Sequence, residues 1–252
     1  MNDARIAIIG GTGLDAMEEL EITCRHNLQT PYGTPSAPIQ EGSLFGQPVF
    51  FLPRHGDAHQ IPPHKINYRA NIWALSKLNV NKILAITAVG GIAENAAPRA
   101  LVIPDQLIDY TYGREHTFFD GVDEKVEHID FTSPFCQRTR AEIIQSALKA
   151  GVEIVPDGVY GATQGPRLET AAEIRKLSGD GCSIVGMTIM PEAALARELS
   201  LSYANCSIVV NWGAGIEDRE ITMEEIRTNL AAAHSRLKTL LATWLVHAMT
   251  LA

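Results

Sequence analysis

A chain of 252 residues, 46% hydrophobic and 20% charged, is long enough to bury a large core and has an ordinary globular composition. Its net charge of −8, with no lysine/arginine stripe, argues against a nucleic-acid partner; a local Arg/His pocket could still hold a small anion. The four cysteines are scattered with no CxxC pair, so neither structural zinc nor a disulfide scaffold is expected.

The N-terminus leads straight into a strand-like run without a signal-peptide pattern. Apolar stretches are interrupted well before a membrane-spanning length. A cytoplasmic protein with reduced thiols and no membrane contact is the simplest expectation.

Residues 5–9 read as a buried strand ending in Gly10-Gly11-Thr12-Gly13-Leu14. Glycines there let backbone N–H groups approach an anion, and Thr12 adds a hydroxyl. The run also fits a loose dinucleotide fingerprint, or a bare tight turn. The dinucleotide reading lacks room for a helix before Leu20-Glu21-Ile22-Thr23. Residues 43–52 read as a hairpin around Gly46-Gln47-Pro48, feeding a strand that ends at Pro53-Arg54-His55-Gly56. Arg54 could bind two oxygens of an oxyanion and His55 could donate to a third; the alternative is a surface Arg beside a solvated His.

Residues 67–78 show helical spacing, and 82–91 read as a second buried strand ending in Thr87-Ala88-Val89-Gly90-Gly91. Residues 101–108 read as one further strand. Residues 109–133 loosen into a long, partly structured loop, of the kind that serves a site or a subunit contact. A helix follows over 135–150 with Gly151 as its cap, then a strand over 152–162. Glu169, after Gly165-Pro166-Arg167-Leu168, stands at a helix start, where it is either a ligand group or a first-turn acid favoured by the helix dipole. Residues 183–186 form a strand delivering Met187 and Thr188, and Pro191 opens a helix. A strand over 203–210 delivers Asn211, whose amide must be satisfied by backbone or by ligand. Thr222 with Glu225 forms a capping-box pattern ahead of a long apolar-striped helix. No repeat or linker appears, so residues 1–252 are read as one domain.

Taken together, Gly10-Gly11-Thr12-Gly13-Leu14, Arg54-His55-Gly56, the run 67–75, Gly165-Pro166-Arg167, and Met187-Thr188 through Pro191-Glu192 resemble the trimeric purine nucleoside phosphorylase and methylthioadenosine phosphorylase family over nearly the whole chain. The resemblance implies a single α/β domain around a central twisted mixed β-sheet flanked by helices. It also implies a homotrimer, and phosphorolysis of a glycosidic bond with inorganic phosphate as co-substrate and no metal or organic cofactor. By motif, Thr12, Arg54, His55, Thr87, Ala88 and Thr188 would bind phosphate. Met187 would lie against the ribose and offer its backbone to a ribose hydroxyl, Leu168 against the base, and His128 would reach a neighbouring subunit's site.

Two departures within the family are informative. Where methylthioadenosine phosphorylases carry Ser-Ser and Asp-x-Asp, this chain has Glu169-Thr170 and Asn211-Trp212-Gly213, as 6-oxopurine phosphorylases do. An ionised Glu169 accepts from a purine N1–H, and Asn211 can donate toward O6 and N7 or accept from a protonated N7. Adenine presents N1 as an acceptor, and such a mismatch costs about 1–3 kcal/mol. Where 6-oxopurine phosphorylases place a His that binds the 5′-hydroxyl, Met223 stands here, with Ile226 in the same pocket. A thioether suits an apolar 5′-methylthio group, though ordinary helix packing would also explain Met223. An oxopurine site with an apolar 5′ pocket implies 5′-methylthioinosine. The alternatives within the family are methylthioadenosine and general 6-oxopurine nucleosides. The rival of another class is a non-catalytic nucleotide-binding module.

Overall fold

Ile6–Gly10 (β1) is apolar and buried at every position, as a strand covered on both faces requires. Its side chains alternate between two core clusters, Ala7 and Ile9 entering one and Ile6 and Ile8 the other. The structure is a computed structural model and describes residues 4–11, 19–121 and 126–250; Thr12 lies outside the described residues.

Leu20–His26 (β2), Ile39–Leu44 (β3) and Gln47–Pro53 (β4) form an antiparallel meander, and β4 then lies parallel to β1. The expected hairpin is present: Phe45 and Gly46 both take positive φ (51° and 76°), matching the twist of the flanking strands. Lys82–Gly91 (β5) runs parallel to β1 on one side and to Ser202–Trp212 (β10) on the other. Its last residues, Gly90 and Gly91, pair antiparallel with Ile184–Gly186 (β9). Beyond β9 lie Val159–Ala162 (β8) and Gln106–Asp109 (β7), both parallel, while Leu101–Val102 (β6) pairs with β10. Among the described residues the result is a ten-stranded mixed sheet.

Tyr68–Lys77 (α1) and Ile189–Glu198 (α4) cover one face. Gln137–Ala150 (α2) and Met223–Thr250 (α5) cover the other. Ala171–Gly179 (α3) closes a small third cluster over β9 through Ile174 and Leu177. This is the α/β architecture with a mixed sheet and flanking helices that the family resemblance implied. No described helix is long and apolar enough to cross a membrane.

The structure alters three expected elements. The strand expected over 101–108 is two: Pro104 has no N–H to continue a ladder, and the chain changes partner from β10 to β8 across it. The strand expected over 152–162 shrinks to β8, because Pro156 and Gly158 (φ 145°) interrupt it; Val155 keeps only an isolated bridge to Val102. Helix α2 starts at Gln137 rather than 135, and Phe135 packs into the core ahead of it.

Far from the C-terminal ends of the parallel strands, Lys82 at the start of β5 pairs with Glu142 of α2 at 2.5 Å, both side chains 5% exposed. Removing one member of a buried pair leaves the other charge uncompensated. Glu142→Ala should therefore cost about 3–5 kcal/mol in urea-induced unfolding, with Michaelis constants unchanged.

Candidate active site

The C-terminal ends of β1, β4, β5, β9 and β10 surround a cavity of about 400 Å³. This is the crevice in which open α/β sheets bind ligands. It is lined by Arg54, His55, Thr87, Ala88 and Thr188, by Leu168, Glu169, Met187 and Asn211, and by Met223 and Ile226. Residues expected from segments as distant as 54 and 226 thus meet in one space. His128 is exposed and does not line the cavity of its own chain.

Arg54 does not present the expected open fork to the cavity. It is fully buried, and its Nε and Nη2 donate to Glu192 of α4 at 2.8 and 2.9 Å. Nη1 donates to the Ile86 carbonyl at 3.0 Å. Tyr203 of β10 donates its hydroxyl to the same Glu192 at 2.6 Å. Burial opposes the guanidinium charge, and the adjacent Glu192 carboxylate outweighs it, so the Arg54 pKa is raised. The edge facing Glu192 is occupied, and Nη1 lies beside Gly11.

His55 is also oriented by backbone. Its Nδ1 lies 2.8 Å from the Ile61 carbonyl, which can only accept, so Nδ1 carries a hydrogen. With Nδ1 so protonated, Nε2 carries a hydrogen only in the imidazolium.

Glu169 precedes helix α3 instead of lying in its first turn. Thr170 is the N-cap, and Glu173 completes a reciprocal capping box. The helix-dipole role thus belongs to Glu173, and Glu169 faces the cavity. Thr163 donates to Glu169 Oε1 at 2.6 Å, which holds the carboxylate while leaving Oε2 as an acceptor.

Asn211 is aimed by an irregularity. Between Val209 and Asn211, β10 gains one residue relative to β5, so Asn211 stands opposite Gly90 instead of Gly91. Bulges re-aim side chains in this way. A Cβ on Gly90 would lie 3.4 Å from Asn211 Nδ2 and 3.1 Å from Val185, so glycine leaves the amide its space. Nδ2 donates to the Trp212 carbonyl at 2.7 Å, which fixes Oδ1 and the second N–H away from that carbonyl.

Met223, at the first residue of α5, is 56% exposed. That is too open for ordinary core packing and puts its thioether at the cavity rim. Ile226, one turn on, is buried beside it.

Arg114 is a residue that sequence reading missed. It lies in the long loop, is 8% exposed, and donates to the carbonyls of Met187 (2.8 Å), Met190 (2.6 Å) and Gln164 (2.9 Å). One guanidinium thus ties together the two segments carrying Met187 and Leu168–Glu169, and the Met187 carbonyl expected near the ribose already accepts from it. Its only signal in the sequence was a lone Arg among aromatic residues. Away from the cavity, Cys24, His26 and Glu41 place potential metal-ligating atoms within 4.8 Å of one another on β2 and β3; His26 and Glu41 are hydrogen-bonded at 2.7 Å.

Residues 5–245 match the family model described as Phosphorylase superfamily. The chain belongs to that superfamily. It is therefore an enzyme of the phosphorylase type. It is 51% identical over 241 residues to a protein of Xanthomonas campestris pv. campestris named probable S-methyl-5'-thioinosine phosphorylase, covering 95% of this chain and 96% of that one. It is 45% identical over 227 residues to the 6-oxopurine nucleoside phosphorylase of Pyrococcus furiosus, covering 88% and 84%. The methylthioadenosine phosphorylase of Schistosoma mansoni, solved in complex with adenine, superimposes with a TM-score of 0.92 at 31% identity, covering 96% and 91%.

Within this phosphorylase the Arg54–Glu192 pair is the most deeply buried charge at the cavity wall. Glu192→Gln should lower stability by about 3–5 kcal/mol, the range for leaving one buried charge unpaired, as read from the shift in urea midpoint at constant slope.

Proposed function

We propose that this enzyme cleaves 5′-methylthioinosine with inorganic phosphate, giving hypoxanthine and 5-methylthioribose 1-phosphate. The observation that carries the reading is the pairing, in one cavity, of a Glu169/Asn211 base end with a Met223/Ile226 apolar end. The names of relatives at about half identity support it. A 6-oxopurine gives its N1–H to Glu169 Oε2, while Asn211 serves O6 and N7 with its second N–H and its Oδ1. Met223 and Ile226 receive the methylthio group, which a donor side chain would not favour.

In this mechanism the C1′–N9 bond lengthens first, leaving positive charge on the ribose and negative charge on the purine. Phosphate beneath C1′, held by Thr87, the Ala88 backbone, Thr188, Arg54 Nη1 and His55, with Thr12 as a further ligand, stabilises the cation and then bonds to it. Asn211 stabilises the departing purine at N7. Met187 and Leu168 hold the sugar and base in place. These are electrostatic and positioning effects, so the proposal requires no metal or organic cofactor. We further propose a cytoplasmic homotrimer in which His128 reaches a neighbouring subunit's cavity.

Phosphate-dependent base release from 5′-methylthioinosine, 5′-methylthioadenosine and inosine, measured side by side, tests the reading. Methylthioinosine should give the highest kcat/KM. Preference for inosine would remove the Met223 pocket, preference for methylthioadenosine would remove the base site, and no phosphate-dependent turnover would remove the whole reading. Met223→His should move preference toward inosine, because a donor then faces the 5′ position. Asn211→Ala should lower kcat by roughly 10²-fold or more, on the scale of losing one stabilising donor, with little change in phosphate KM.

A further inference from the structure

Beneath the cavity floor lies a layer of fully buried polar side chains that the mechanism above does not use. Asn205, Ser207 and Tyr160 are each 0% exposed. Asn205 and Ser207 belong to β10, and Tyr160 to β8. Asn205 and Ser207 lie against Thr87, and Tyr160 lies beside both Thr87 and Thr188.

The proton positions in this layer follow from the acceptors. Asn205 faces the Ala85 carbonyl at 3.0 Å, so the atom there is Nδ2. The other N–H of Nδ2 then points to Thr87 Oγ1 at 3.2 Å. Asn205 Oδ1 is left facing Ser207, which must donate to it, at 2.6 Å. Ser207 Oγ therefore has only lone pairs to offer Thr87, 3.0 Å away. Thr87 accepts from Asn205, and its own hydrogen is the one mobile element of the chain. It can point to Ser207 or outward to an anion.

Thr188 has a corresponding neighbour. The Tyr160 hydroxyl is buried without a well-formed hydrogen bond, beside the Thr188 amide and hydroxyl and the Thr87 hydroxyl. It is held there by close packing: a Cβ on Gly186 would lie 2.0 Å from Tyr160 Oη. Burial pushes the phenol pKa up to about 12, so it keeps its hydrogen near neutral pH. A buried donor without an acceptor costs free energy that a rearrangement on ligand binding can recover.

We propose that Asn205 and Tyr160 are positioning residues that act on phosphate through the threonines: Asn205 donates into the Thr87 hydroxyl, and the Tyr160 hydroxyl, orphaned without ligand, donates into Thr188 when phosphate binds, so that both threonines turn their own hydrogens, that of Thr87 away from Ser207, onto an oxyanion that accepts at every oxygen it presents. The site is thereby set for a fully ionised phosphate edge and disfavours a ligand that donates there. This rests on the phosphorolysis reading and deepens it at the phosphate end.

The test is steady-state kinetics with both substrates varied, on wild type, Tyr160→Phe and Asn205→Leu, with melting temperatures taken with and without inorganic phosphate. Tyr160→Phe should raise the phosphate KM about five-fold, the scale of one net hydrogen bond, with the nucleoside KM unchanged. Its melting temperature without phosphate should not fall, because an orphaned hydroxyl has been removed, whereas the added stability conferred by phosphate should shrink. Asn205→Leu should show the same KM split if it folds. An unchanged phosphate KM in Tyr160→Phe, or equal rises in both Michaelis constants, would overturn the proposal while leaving phosphorolysis intact. A wild-type enzyme without phosphate-dependent turnover would overturn both.

Discussion

The buried ion pair between Arg54 and Glu192 is the constraint on which the cavity depends. Arg54 follows β4, its backbone N–H meets the Gly10 carbonyl at the end of β1, and its side chain reaches the Ile86 carbonyl of β5. Glu192 brings in α4, and Tyr203 adds β10. Five elements are thus tied through two charged groups that water does not reach. Such a pair adds little net stability over an apolar replacement of equal volume, since desolvation offsets much of the attraction. Its value here is geometric, because planar guanidinium and carboxylate groups fix distance and angle between the strand ends and the helix.

The same arrangement recurs around the cavity at lower charge. Several of the groups proposed to meet the ligand are held by a neighbour at one polar atom. Thr163 occupies one oxygen of Glu169, Trp212 one N–H of Asn211, and Ile61 one nitrogen of His55. Arg114 does this for backbone, gathering the Met187 and Gln164 carbonyls from two segments. Groups oriented before the ligand arrives need no reorganisation during reaction, which is how fixed dipoles stabilise developing charge. The apolar end differs: Met223 is half-exposed at the start of α5 and is held by no comparable contact among the described residues.

Most of the architecture was legible from local pattern. β1 and β5 announced themselves as apolar runs ending in glycines, and α1 and α5 as periodic stripes, α5 behind a Thr222 cap. Two of the three altered elements fell where a proline or a positive-φ glycine cut an otherwise strand-like run, at Pro104 and at Pro156 to Gly158. The eleven described cavity residues expected from sequence do line one cavity, whereas the fork of Arg54 turned out to serve Glu192.

What the sequence alone determined was which residue types arrive at strand ends: Glu169 and Asn211 with hydrogen-bonding capacity for a base, Thr87 and Thr188 with hydroxyls, Met223 with a thioether. Side-chain chemistry is a local property and travels with the residue. What only the tertiary structure decided was which of their atoms remain available. The bulge that sets Asn211 opposite Gly90, the capture of Arg54 by Glu192 138 positions away, and the Tyr160 hydroxyl beneath Gly186 all depend on contacts between segments far apart in the chain. A hydrogen bond has a direction and a limited number of partners, and neither can be counted until the fold has brought those partners within reach.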